Sequence, residues 1–159
     1  AADVEGPVYI RIARPVAPII TEESCDFEIG KAEVLKQGKD LSIFATGLMV
    51  AKALEAASIL ADKGIDVTVV NVHTIKPLDE EIVLKEAVKT GKVITVEEHT
   101  IIGGLGSAMA EVLVGKERVK MKRIGLNDTF GQSGNPESLL EYYGLTKENI
   151  IKTAEEMVK

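Results

Sequence analysis

From residue 41 onward, short runs of β-forming residues alternate four times with longer stretches of helical character. The strand readings are 41–45, 67–72, 92–96 and 119–124, each rich in Val, Ile or Leu. A connection between parallel neighbours needs a dozen residues or more, and a helix is the usual solution. The alternation therefore predicts a largely parallel sheet with helices on both faces, an α/β class.

Capping chemistry sets the expected helix ends. Thr46 is placed as the cap of a helix over about 48–63, with Gly64 just beyond its end. Pro77 and Asp79 open a second helix that stops at Gly91, and the cluster Gly103-Gly104-Leu105-Gly106 opens a third that stops near Gly115. Asn135 and Pro136 supply a cap and a first-turn proline for a fourth, closed by Gly144. Thr146 caps the last, which runs toward Lys159. Upstream, residues 27–35 read as a strand closed by the turn Gln37-Gly38-Lys39-Asp40. Residues 8–13 alternate as a strand does. Pro15, Pro18 and the polar Thr21-Glu22-Glu23-Ser24 then mark a boundary, so 1–20 read as separate from 21–159.

Composition narrows the function. Of 159 residues, 25 are acidic and 19 basic, a formal charge of -6. Tracking a nucleic-acid backbone needs a basic face, so that class is disfavoured. The apolar stretch 41–61 carries Lys52 and Glu55, which a membrane span tolerates poorly. The first six residues have no basic or apolar run of the signal-peptide kind. The one cysteine, Cys25, reads as a small buried or half-buried side chain rather than a reactive thiol, and a cytoplasmic location fits it.

Open parallel sheets bind ligands at the carboxyl ends of their strands. Thr46-Gly47, Val72-His73-Thr74, Glu97-Glu98-His99 and Leu126-Asn127-Asp128 fall there. His73 and His99 could meet carboxylates as acid–base or metal-binding groups; the plainer reading has each capping a loop or facing water. The glycine cluster could admit an anion at a helix N-terminus. Read as a dinucleotide fingerprint, it fails at Met109, and close packing is the favoured explanation. Ser133 has no base nearby in sequence, and no complete catalytic constellation is present. Arg14, held before Pro15, suits bidentate phosphate binding, with a solvated surface arginine as the plain alternative.

Several segments taken together resemble a known family. They are Gly6-Pro7-Val8-Tyr9-Ile10-Arg11-Ile12-Ala13-Arg14, residues 30–40, Ala45-Thr46-Gly47 and Lys76-Pro77-Leu78-Asp79. Glu97-Glu98-His99, the glycine cluster, Phe130-Gly131-Gln132-Ser133-Gly134 and residues 139–146 continue the set in order. The set resembles the C-terminal domain of transketolases, preceded over 1–20 by the last strand and exit segment of a pyrimidine-binding domain. The resemblance implies a three-layer α/β/α unit with a five-stranded, mostly parallel sheet whose first strand is antiparallel. It implies two-carbon ketol transfer between sugar phosphates of the pentose phosphate pathway, in a homodimer using thiamine diphosphate and Mg. It places Arg14 on the substrate phosphate and assigns no catalytic role to His73 or His99. The cofactor's metal-binding motif and activating glutamate are not among these residues, so the chain alone is expected to be inactive and to hold no cofactor. It reads as the end of a longer polypeptide or a split-type subunit, needing N-terminal and pyrimidine-binding partners. The alternatives are 1-deoxyxylulose-5-phosphate synthase, a 2-oxoacid dehydrogenase beta subunit, or a nucleotide- or anion-binding module built on the strand-edge groups.

Overall fold

A computed structural model describes residues 1–21, 25, 27–115 and 119–159. The elements run β1 (Glu33–Lys36), β2 (Leu41–Ala45), α1 (Met49–Asp62), β3 (Val67–Asn71), α2 (Glu80–Thr90), β4 (Lys92–Thr100), α3 (Leu105–Leu113), β5 (Lys120–Leu126), α4 (Pro136–Tyr142) and α5 (Lys147–Val158). They build one five-stranded sheet in the order β1-β3-β2-β4-β5. Only β1 runs antiparallel, against β3; the β2–β3, β2–β4 and β4–β5 pairs are parallel.

The inner strands are apolar on both faces because both faces are covered. Ile43, Val69, Ile94 and Val96 meet Met49, Ala53, Ala57 and Leu60 of α1 and Ile150 and Ala154 of α5. On the opposite face, Phe44, Val70 and Val93 meet Val83 and Ala87 of α2 and Leu105 and Met109 of α3. The result is a three-layer sandwich. Each wholly buried Leu, Ile, Val or Phe contributes roughly 1.5–3 kcal/mol relative to exposure, so these two layers hold the fold.

Three of the expected caps are present. Asp79 accepts from the Ile82 amide, Asn135 from Glu137 and Thr146 from Asn149. The other carboxylate oxygen of Asp79 accepts from the Ala32 amide at 3.0 Å, which ties the approach to β1 to the start of α2.

The structure corrects three sequence readings, and a fourth segment is without a sheet to join among the described residues. The first strand is shorter than 27–35, because Gly30 adopts φ +88 and Lys31 turns back onto the Glu28 carbonyl. Thr46 does not cap α1: Leu48 is the capping residue, and Thr46 offers only its carbonyl to the Met49 amide. β4 runs on to Thr100, so Glu97, Glu98 and His99 lie within the strand rather than after it. Residues 8–13 form no strand with the described residues. A β-pattern needs a neighbour to take its backbone hydrogen bonds, and none of the five strands pairs with this segment. Of the polar boundary stretch, residues 22–24 lie outside the described residues.

Candidate functional site

The carboxyl ends of β2 and β4 flank the point where the strand order reverses, the place an open α/β sheet offers a ligand. Here the chain fills that place itself. Glu97 points from β4 into the N-terminus of α3 and is 1% exposed. Its carboxylate accepts from the Leu105 amide at 2.7 Å and from the Gly106 amide at 2.8 Å. A helix N-terminus carries free N–H groups and partial positive charge, so a buried carboxylate is a good partner for it.

The same contact explains the glycine cluster. A side chain at position 104 would collide with the Glu97 carboxylate, and one at 106 would press on Arg123 Cδ and Thr95 Oγ1, at 2.7 and 2.9 Å. Gly104 and Gly106 serve close packing, as the sequence reading favoured, whereas Gly103 has open space and adopts φ +76. An external anion at α3 would have to displace Glu97. Among the described residues no group of three or more His, Cys, Asp and Glu could hold a metal ion.

The two histidines stand apart in role. His73, just past β3, is half-buried, with its ring 4.5 Å from that of Phe27 and its Nδ1 2.9 Å from Thr74 Oγ1. Burial pushes its pKa below the ordinary 6.5, and the Glu33 carboxylate offsets part of that shift. His99 is exposed and lies against the Thr100 carbonyl. No hydrogen bond joins the two rings, so they form no acid–base pair. Asp128 is exposed with φ 49, and Ser133 is also exposed.

Arg14 is exposed, consistent with either reading of its side chain. Three residues earlier, Arg11 Nη2 donates to the Glu98 carbonyl at 2.8 Å. That bond ties the N-terminal segment to the outer end of β4. The segment's apolar side chains remain uncovered, with Tyr9 89% and Ile12 83% exposed.

A cavity of about 610 Å³ opens beside β1 and β3, bordered by Ile20, Phe27, Lys31, Glu33, Asn71 and His73 among others. The sequence reading missed Asn71, Phe27 and Glu33 here. The one available signal was a polar residue closing the apolar run of β3.

The family described as transketolase, C-terminal domain, matches residues 30–150. The chain belongs to that family. It is 49% identical, over 98% of its length, to the 6-deoxy-6-sulfo-D-fructose transketolase subunit SqwH of Clostridium sp. strain MSTE9, and it spans 48% of that protein. It is 42% identical to the 1-deoxy-D-xylulose-5-phosphate synthase of Desulforudis audaxviator, of which it spans 25%. A solved structure titled a split gene transketolase, inactive beta4 tetramer, superimposes with a TM-score of 0.93 at 46% identity, over 99% of this chain and 52% of that one. The chain thus spans about half or less of the length of these relatives. Among the described residues, no helix is long and apolar enough to cross a membrane.

Proposed function

We propose that this chain is the C-terminal part of a transketolase-type transferase that moves two-carbon ketol units between sugar phosphates in the cytoplasm. In this reading residues 1–20 complete the sheet of a pyrimidine-binding domain and residues 21–159 form the C-terminal domain. The chain is catalytically silent alone. It supports a homodimer and supplies one substrate-phosphate contact, Arg14. Thiamine diphosphate and its divalent metal are held by other portions of the enzyme.

One observation carries the reading. Residues 8–13 have strand composition, join no strand among the described residues, and leave Tyr9 and Ile12 uncovered, yet Arg11 anchors them to the fold. A segment of strand composition without a neighbour needs a sheet to take its backbone hydrogen bonds. The planar guanidinium of Arg14 follows that segment directly, and its fork geometry matches a phosphate. The printed names of the relatives support transfer chemistry of the transketolase kind, and the subunit is the more similar of the two curated proteins at 49% against 42%. The synthase reading stands second on that comparison.

Amide hydrogen exchange tests the strand assignment. Residues 8–13 should exchange rapidly in the isolated chain and become protected when the N-terminal and pyrimidine-binding portion is added. Exchange unchanged by that addition contradicts the reading.

A further inference from the structure

The register of β4 against β5 breaks at one place, and the N-terminal segment attaches there. Val96 stands opposite Ile124 and Thr100 opposite Leu126, so Glu97, Glu98 and His99 together face Gly125. A bulge of this kind leaves residues without a partner across the ladder and bends the strand. Gly125 makes room for it: a side chain there would meet the His99 carbonyl at 2.8 Å and Ile101 Cγ2 at 2.9 Å. Glu98 sits in the middle of the bulge with no residue opposite it in the register, and its carbonyl accepts from Arg11 Nη2 at 2.8 Å. Its neighbour Glu97 is committed to the first turn of α3.

Arg14 needs a hold of this sort. Recognition of a phosphate by a guanidinium fork depends on where the backbone sets the side chain. Arg14 is exposed, the chain bends at Arg14 and Pro15, and neither residue belongs to a strand or a helix. Two contacts bracket it. Arg11 stands three residues earlier, which keeps the two Cα atoms within about 11 Å of each other. Six residues later, Ile20 packs against the apolar layer between the sheet and the α1–α5 pair. Pro15 and Pro18 stiffen the stretch between Arg14 and Ile20.

We propose that Arg11 is a positioning residue for substrate phosphate: by gripping the bulge carbonyl of Glu98 it fixes where Arg14 stands against the C-terminal domain. The inference rests on the phosphate role proposed above for Arg14 and adds the residue that holds it in place. Arg11 acts through Arg14 and makes no substrate contact of its own.

Steady-state kinetics of the assembled enzyme tests it, with a sugar phosphate and its unphosphorylated counterpart as acceptors. Arg11→Ala should raise KM for the sugar phosphate by about 3–10-fold, the range for loss of one hydrogen bond, and by less for the unphosphorylated acceptor. In the Arg14→Ala background the same substitution should add little, because the group it positions is gone. A general loosening of the domain would act equally in both backgrounds. If Arg11→Ala does not assemble, Arg11→Met, which keeps the length of the stem and removes the donors, decides by the same comparison. KM unchanged by the Arg11 variant while Arg14→Ala raises it overturns this proposal and leaves the Arg14 assignment standing. KM unchanged in both single variants overturns the two together. An Arg11 effect of equal size with and without Arg14, or equal on both acceptors, also overturns the proposal.

Discussion

The Glu97 carboxylate lies 2.8 Å from the Gly106 amide nitrogen, so the first turn of α3 is capped from a neighbouring strand rather than by its own N-cap residue, which makes no side-chain bond. Glu97→Ala would leave the Leu105 and Gly106 N–H groups buried without partners. The expected loss is about 3–5 kcal/mol, in line with breaking a buried charged network. Urea denaturation should show a lower midpoint with little change in slope. Glu97→Gln keeps one acceptor and should lose less.

Gly104→Ala probes the same contact from the other side. In a helix's open first turn, Gly to Ala is close to neutral, but here the added methyl occupies the Glu97 carboxylate's position. A destabilisation of about 2 kcal/mol or more is expected, within the range for overpacking. In the Glu97→Ala background the cost should shrink, giving a clear coupling in a double-mutant cycle.

His73 makes stability depend on pH. Its folded pKa lies below the ordinary 6.5, because burial disfavours the imidazolium. The unfolded chain then binds the proton more readily, so this contribution is present above the unfolded pKa and is lost as pH falls through the folded one. Chemical denaturation at about pH 7.5 and about pH 5 should show the loss, and His73→Phe should reduce it. Equal pH dependence in both proteins contradicts the assignment.

Arg14→Ala, in the assembled enzyme, should raise KM for phosphorylated acceptors while leaving kcat nearly unchanged. That pattern marks binding energy shared by ground and transition states. A non-phosphorylated acceptor should show no such change. Steady-state kinetics with the two acceptor types checks it.

Much of the architecture was legible because it rests on local patterns. The apolar runs of β2 and β3, and the caps Asp79, Asn135 and Thr146, carry their structure in a few adjacent residues. The far end of β4 was not legible. Glu97-Glu98-His99 reads as a polar loop, yet β5 continues beside it and pairs Leu126 with Thr100 after a register shift. The function of Glu97 was hidden for a related reason: its partners, Leu105 and Gly106, are eight and nine positions away and meet it only once α3 folds back on the sheet. The histidines illustrate the converse. Both lie at strand ends in the sequence, but one packs on Phe27 and the other faces water. Strand position alone does not fix which way a side chain points. Residues 8–13 have the alternation of a strand, and alternation specifies a face without supplying a neighbour.

The central claim is tested most directly by a ketol-transfer assay with thiamine diphosphate and Mg²⁺, run on the purified 159-residue chain with and without the N-terminal and pyrimidine-binding portion. The account predicts no transfer from the chain alone and transfer when the two are combined. Turnover by the chain unaided, or silence in the combined sample despite formation of a stable complex, would contradict it.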